Sequence, residues 1–202
     1  VATVTASTNP DTSVDNQAVT ANTRVNVTFQ IIDNTTRRVE GLSLSESDIV
    51  ITVTRKLTGD RTNPVETITS DVPHVLGATL NPSRPFNKNV TWKDQNTGSI
   101  IVLEPYGDHN ENCRVTARYN EDGVSNPQWI QSVIQADNQK RANDKYVKLT
   151  GSATKTEVIT STADDQTNGV VSANCNVTIN FVTEDETVIH PESVSMSRSH
   201  VN

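Results

Sequence analysis

The sequence predicts an all-β protein in which short strands pack as sandwiches. Val and Thr are abundant, and branching at Cβ suits extended strands better than helices. Residues alternate between apolar and polar at Ile49–Thr54 and Asn176–Phe181, which is the pattern of a strand that buries one face. Only 33% of the residues are apolar, as expected where each strand contributes every second side chain to a thin core.

Strands are predicted wherever alternation or β-branching runs between turn-forming residues. In chain order they are Ala2–Ser7, Ala18–Ile32, Ile49–Leu57, Val65–Thr69, Val75–Leu80, Asn89–Lys93, Ile100–Leu103, Cys113–Tyr119, Ser132–Ala136, Tyr146–Leu149, Glu157–Thr162 and Val170–Val182. Their spacing of roughly 8–12 residues is typical of sandwich arrays. The polar stretch Asp137–Asp144 is predicted to be either a helical turn or a linker.

An internal repeat relates the two ends of the chain. Val19–Phe29 aligns without gaps on Val171–Phe181, and at the same offset Glu40–Ser45 falls on Glu192–Ser197. Two separate blocks that share one offset indicate a repeated structural unit. In each copy a closing strand is followed by a short connection and then by an opening strand.

The middle of the chain resembles a known family. The segment Gly77–Trp92 has a strand ending in Asn81-Pro82, a polar connection, and a Val-Thr-Trp strand. It resembles the middle of a group 2 bacterial immunoglobulin-like domain, and the resemblance runs from about Val39 to Ala136. It implies an immunoglobulin-like sandwich in which Trp92 packs between two sheets. Such domains are usually spacers, stalks and adhesive modules.

The resemblance and the repeat together predict immunoglobulin-like β-sandwich domains, two in tandem or one inserted in the other. Residues 1–38 resemble the closing half of a sandwich, 39–138 resemble a group 2 domain, and 139–202 are expected to belong to a second sandwich. Either 1–38 complete that second sandwich, or a neighbouring subunit does. The loops Glu104–Asn112 and Asn120–Trp129 depart from the family pattern.

Candidate binding residues lie in these two loops. Tyr106 and Trp129 are the aromatic side chains expected outside the core, where they would stack on sugars. Asp108, Asn110 and Asn112 alternate like the first ligands of a calcium loop, and a solvated turn is the alternative. No other cofactor is expected, and no catalytic residues are proposed, because no nucleophile elbow, phosphate loop or zinc motif is present.

Cys113 and Cys175 are the only cysteines in the sequence. An even count in an extracellular β-protein allows one disulfide between them. The alternative is that both are small buried apolar side chains, because each lies in a predicted strand.

The charge and hydropathy of the sequence limit the classes of partner that are expected. The net charge is −7 and no basic stripe is present, so nucleic acid is not an expected partner. No apolar run approaches the roughly 20 residues that span a bilayer, so membrane insertion is not expected. The chain begins at Val1 without a visible secretory signal, which fits a processed chain, a piece of a longer one, or loss of an initiator Met.

The sequence therefore predicts a non-enzymatic structural or adhesive protein of an extracellular assembly. The assembly would be a bacterial surface or a bacteriophage virion, and the partners other protein subunits. One alternative is a carbohydrate-binding module that uses Trp129 and Tyr106. Another is a self-assembling fibre or tube subunit in which a C-terminal strand, Val188–Asn202, is donated to a neighbour.

Overall fold

The structure is a computed structural model and describes residues 2–7, 20–26, 28, 38–120, 125–166 and 169–190. The chain divides into two compact units, Val1–Thr36 and Arg37–Asn202. In chain order the elements are β1 Ala2–Ser7, β2 Thr20–Val25, β3 Gly41–Leu44, β4 Asp48–Asp60, β5 Asn63–Ser70, β6 His74–Asn81, β7 Val90–Asp94, β8 Ile101–Tyr106, β9 Asn112–Ala117, α1 Gln128–Asn143, β10 Ser152–Ala163 and β11 Ser172–Asp185. The protein is therefore mostly β, as predicted from the sequence.

The N-terminal unit contains an antiparallel pair of strands. β1 and β2 pair from Ala2 opposite Val25 to Ser7 opposite Thr20. All six side chains of β2 are exposed to solvent. Val4 of β1 is 54% exposed and Val25 is 41% exposed, so the described part of this unit leaves large apolar side chains in water.

The larger unit has two sheets. One has the strand order β5-β4-β11-β10-β7 and the other has the order β3-β6-β9-β8. All neighbouring strands in these sheets are antiparallel except β4 and β11, which run parallel from Asp48 opposite Asn176 to Leu57 opposite Asp185. The chain leaves the four-stranded sheet after Leu44 and enters the five-stranded sheet at Asp48.

The core lies between these sheets and follows the predicted alternation. Every second residue of β4 and β11 is buried, and side chains of β6 and β9 join them in one cluster. Leu76, Ile159, Ile179 and Phe181 are all 0% exposed. Burying side chains of this size stabilises a fold by about 1.5–3 kcal/mol each. The Tyr119 ring stacks near that of Phe181, with ring centroids 6.4 Å apart.

The helix α1 corrects part of the sequence analysis. Ser132–Ala136 was predicted as a strand and Asp137–Asp144 as a helical turn or linker, but one helix covers most of both. A short apolar run cannot be assigned by periodicity alone. Ile130, Val133 and Ile134 pack towards the core at helical spacing. The next position on that face is the charged Asp137, which hid the helical pattern.

Two further expectations differ from the structure. Tyr146–Leu149 forms no strand, although Leu149 is buried, because its N–H donates to the carboxylate of Asp185 instead of a neighbouring strand. Residues 139–202 were expected in a second sandwich. In the structure β10 and β11 lie in the same sheet as β4 and β7, because β11 pairs with β4 from Asn176 to Asp185.

The other predicted strands are confirmed apart from shifts of a few residues at their ends, except that of the predicted strand Ala18–Ile32 only Thr20–Val25 is a strand. Asn26 and Thr28 lie outside β2, and the rest of that prediction falls on residues outside the described ranges. The C-terminal segment 191–202, including the repeat Glu192–Ser197, also lies outside them. Within the described residues, no helix has the length and apolar character needed to cross a membrane.

Candidate functional site

The turn between β8 and β9, together with the strand ends on either side of it, carries four of the five predicted binding residues. β8 extends to Tyr106, so the expected loop is shortened to a tight turn over residues 107–111. Gly107 and Asn110 have φ angles of 95° and 56°, in the left-handed region that glycine and asparagine adopt most readily. The turn is thus a defined structure rather than an open loop.

Neighbouring strands hold this turn in place. The Trp92 indole Nε1 donates to the Asn110 carbonyl at 2.8 Å, and the Val90 N–H donates to the His109 carbonyl at 3.0 Å. On the other side, the Ala78 N–H donates to the Glu111 carbonyl at 2.7 Å. Trp92 also packs against the core. The two sheets therefore both fix the turn, through β7 and β6.

The three predicted calcium ligands have separate roles. Asp108 is exposed, Asn110 accepts the Trp92 hydrogen bond through its backbone, and Asn112 begins β9. Among the described residues, no group of three His, Cys, Asp or Glu side chains could hold a metal ion. The predicted calcium site consists of one carboxylate and two amides, so the absence of such a group of three does not test it. Calcium binding here stays a prediction.

Glu111 is the acid that folds into the turn. Its carboxylate accepts the His109 N–H at 2.9 Å. Hydrogen bonds from its own backbone N–H and from that of His109 hold the pKa of Glu111 below its usual range. The carboxylate therefore stabilises the turn in its charged form.

The two aromatic residues predicted to bind sugars are in different settings. Tyr106 is 42% exposed, and the guanidinium of Arg114 lies 5.8 Å from its ring centroid. Trp129 lies in the first turn of α1 rather than in a loop, is half-buried and packs against the core. Its indole Nε1 is buried without a hydrogen-bond partner. Of these two residues, only Tyr106 therefore has an exposed ring that could stack on a sugar.

Cys113 and Cys175 are free thiols, so the disulfide that the sequence allowed is absent from this structure. They lie on β9 and β11, in opposite sheets, and both are 0% exposed within the core. Each sulfur donates to the carbonyl of the following residue at 3.6 Å. Burial raises the pKa of each thiol to about 11. Cys113 and Cys175 therefore fit the second prediction from the sequence, that both are small buried apolar side chains.

A buried ionic cluster, which no pattern in the sequence predicted, lies beneath α1. Asp137 is 0% exposed and accepts the Thr183 hydroxyl at 2.9 Å. Nη1 of Arg55, a residue that is 4% exposed, lies 3.6 Å from the Asp137 carboxylate. The second terminal nitrogen of Arg55, Nη2, donates to the Glu66 carboxylate at 2.7 Å. The cluster joins α1 to β4, β5 and β11, which gives it a structural role.

A second buried carboxylate, Asp185, closes the end of β11. It accepts hydrogen bonds from the Leu149 N–H at 2.8 Å, the Arg141 guanidinium at 2.9 Å and both N–H and hydroxyl of Thr187. Burial acts to raise the pKa of Asp185, but the hydrogen bonds from Thr187 and Leu149 and the charge of Arg141 outweigh it and lower the pKa.

A groove of about 650 Å³ runs beside β5 and was also missed. It lies between this strand and the end of β9, with Ile68, Arg118 and Tyr119 among its lining residues. β5 is the edge of the five-stranded sheet, so no described strand pairs with its outer side. Alternation predicted the strand, but its edge position depends on pairings that local sequence does not show.

The chain matches no protein-family model, no curated protein and no solved structure.

Proposed function

We propose that this protein is a non-enzymatic, immunoglobulin-like structural or adhesive module of an extracellular assembly. The sequence resemblance at Gly77–Trp92 supports the family. The assembly is a bacterial surface or a bacteriophage virion, and the partners are other protein subunits of it. The work of such a module is to hold spacing and to carry load between neighbours.

Strand order supports the immunoglobulin-like assignment. In a constant-type immunoglobulin domain, strands A, B, E and D form one sheet and C, F and G form the other. The order β3-β6-β9-β8 has the same sequence of pairings as A-B-E-D, and β7-β10-β11 has that of C-F-G. β4 and β5 then form an added hairpin at the G edge, and α1 occupies the E–F connection.

The parallel pairing of β4 and β11 is the observation that carries the mechanical role. These strands stand near the start and end of the larger unit and run side by side from Asp48 to Leu57. A pull on the two ends of the unit therefore acts along both strands in opposite directions. Their ladder hydrogen bonds are then loaded together, whereas a hairpin pulled from its open end breaks its bonds one after another.

Single-molecule force spectroscopy tests this role on the intact chain. Tethers at Glu40→Cys and His190→Cys, both exposed positions on either side of the β4–β11 pair, load that ladder lengthwise. Tethers at Ser152→Cys and Glu184→Cys, also exposed, pull β10 and β11 apart from their open end. The native cysteines are buried, so the added thiols take the tethers.

We expect a clearly higher unfolding force in the first geometry than in the second at the same loading rate. Equal forces in the two geometries would remove the load-bearing role, although the fold would stand. The location outside the cell is tested separately, by applying antibodies against the protein to intact cells and particles. Reactivity only after lysis would overturn that part of the proposal.

A further inference from the structure

The outer edge of β5 presents backbone groups that no described strand pairs with. Asp71, which follows β5, donates its N–H to the Thr52 carbonyl of β4 at 3.0 Å. The direction of hydrogen bonding alternates along an antiparallel strand. The Leu57 carbonyl fits this alternation, because it faces the β11 side and accepts the Glu186 N–H at 2.8 Å instead of bonding to β5. The residues that direct both N–H and C=O away from β4 are therefore Glu66, Ile68 and Ser70.

The side chains of these three residues line the groove beside β5. They stand opposite Leu57, Arg55 and Val53 of β4, which are buried, so they lie on the face of the sheet that is turned towards the core. A strand added to this edge would hydrogen-bond to their backbone and place every second side chain in the groove. The edge and the groove are thus suited to the same extended segment.

Arg118 and Tyr119 mark one end of the groove. The Tyr119 ring stacks near that of Phe181, which pairs with Val53. Val53 in turn pairs with Ser70. Arg118, which is exposed and adjoins Tyr119, therefore lies at the Ser70 end of the groove. A negatively charged side chain opposite Ser70 would be attracted to its guanidinium.

A second copy of β5 fits this edge in one antiparallel register. Pro64 has no N–H to donate, so the pairing begins after it. Only a two-fold axis at Ile68 pairs all three outward-directed residues, with Ile68 opposite Ile68 and Glu66 opposite Ser70. Each of these pairs then exchanges both of its N–H···O bonds. In this register no like charges stand directly opposite each other.

The side chains on both faces of the joined strands are complementary. Glu66 of the second copy stands opposite Ser70, at the end of the groove where Arg118 lies, and the symmetry repeats this contact between opposite charges. On the outer face, Thr67 of one copy stands opposite Thr69 of the other, and such pairs of β-branched residues stabilise sheets. The edge is therefore self-complementary, which favours a second copy of this chain over an unrelated strand.

We propose that two copies of this chain associate through β5, in an antiparallel pair centred on Ile68 that joins their two five-stranded sheets into one. The contact uses the same surface on both copies, so it closes as a dimer. It goes beyond the proposed load-bearing role and is independent of it, because it depends on the edge of β5 and its register.

Disulfide cross-linking of the full chain tests the register. Thr67 and Thr69 of different copies would form a non-hydrogen-bonded pair with Cα atoms about 4.5 Å apart, within reach of a disulfide. Thr67→Cys mixed with Thr69→Cys should therefore give a covalent dimer on mild oxidation. Each variant alone should give at least about tenfold less, because like positions lie diagonally, about 7–8 Å apart. The native thiols are buried and take no part.

The control mixes Thr67→Cys with Ser152→Cys, an exposed position on β10. This mixture should give no more covalent dimer than the single variants. A mixture of Thr67→Cys and Thr69→Cys that does no better than the control overturns the proposal. Single variants that cross-link as fast as the mixture overturn it as well, because they require another register or random collision.

Light scattering on a sizing column tests the association without added thiols. We expect the unchanged chain to form a dimer whose fraction rises with concentration. Ser70→Pro should weaken the dimer by at least about tenfold, because it removes an outward N–H from each copy while β5 keeps its bonds to β4. Ser70→Ala keeps that N–H and is the matched control, so it should associate like the unchanged chain.

An unchanged chain that stays monomeric at every concentration overturns the proposal, and so does equal association of Ser70→Pro and Ser70→Ala. For a Ser70→Pro chain that fails to fold, the cross-linking result decides. Hydrogen exchange at a concentration where the chain is monomeric gives a further test. Protected amides at Glu66, Ile68 and Ser70 would mean that another part of the same chain pairs with β5, which also overturns the proposal.

Discussion

The thiols of Cys113 and Cys175 illustrate how burial controls a side chain's chemistry. Both are 0% exposed, and their pKa is raised to about 11, so at neutral pH they are protonated and out of reach of reagents. We expect a thiol reagent to label neither in the folded protein and both in denaturant. A Ser152→Cys variant, with its added thiol exposed, should label at once and serves as the control. Rapid labelling of either native thiol would contradict this prediction.

Trp129 and Tyr106 should respond differently to truncation. Trp129 packs against the core, so Trp129→Ala should lower the free energy of unfolding by about 2 kcal/mol, below the cost at a fully buried site. Tyr106 is 42% exposed and stands outside the core cluster, so Tyr106→Ala should change the free energy of unfolding by less than about 0.5 kcal/mol. Urea unfolding measures both values. Equal losses would show that Tyr106 is packed more tightly than its exposure indicates.

Asp185 should make stability depend on acid pH. Its pKa is held below the ordinary value of 3.8, so its contribution is fully present above that value and is lost as pH falls through the lower folded pKa. We expect Asp185→Asn to be less stable at neutral pH and to lose less stability on acidification. Urea midpoints from neutral to strongly acidic pH measure this. Parallel acid profiles for the two proteins would contradict it.

At the scale of elements, α1 can pack closely at Asp137 because the facing residue, Gly151, has no side chain. A Cβ on Gly151 would lie 2.5 Å from the Asp137 carboxylate, too close for real atoms. Gly151→Ala should therefore destabilise the protein by about 1–3 kcal/mol, because α1 must shift or the ionic cluster must break. Gly77→Ala is the control, since its Cβ would meet only Asn112 at 3.6 Å. Thermal unfolding compares the two, and similar midpoints would refute the close fit.

Strands were more predictable than the helix for a physical reason. Along β4, the buried residues Ile49, Ile51 and Val53 stand at every second position, and the run is rich in β-branched residues, so the local sequence indicates both the element and its buried face. The buried face of α1 ends in Asp137, whose carboxylate lies 3.5 Å from Lys140 in the same helix and 3.6 Å from Arg55, a residue far away in the chain. The local pattern does not reveal the partner in β4 that lets this carboxylate be buried. The helix therefore required the tertiary structure to be identified.

In the candidate site too, features that depend on contacts between distant parts of the chain could not be predicted from the local sequence. The turn after Tyr106 was predictable because Gly, Asp and Asn residues favour turns. That Trp129 would pack inward was not predictable, because it depends on α1 lying over the core. The groove beside β5 was equally hidden, since it forms where β5 and β9 from different sheets meet.

For the whole molecule, the interleaving of strands determines what can fold alone. A fragment 39–138 lacks β10 and β11, which carry the buried Ile159, Val177 and Phe181. We expect it to remain unfolded, whereas residues 37–190 should unfold in one cooperative transition. Circular dichroism with urea titration measures this. A cooperative transition in the shorter fragment would mean that the group 2-like stretch is a domain by itself.

The parallel pair also governs when the molecule can finish folding. Asp48 accepts a hydrogen bond from Asn176, a partner 128 residues later in the chain, and β11 is the only described strand on that side of β4. While the chain is being synthesised, the hairpin β4–β5 must therefore wait with one edge open until nearly all the rest has emerged. Contacts of such long sequence separation slow folding and leave strands exposed to neighbouring chains. Several chains being synthesised on the same mRNA would therefore be able to contact one another before β11 of each chain has emerged.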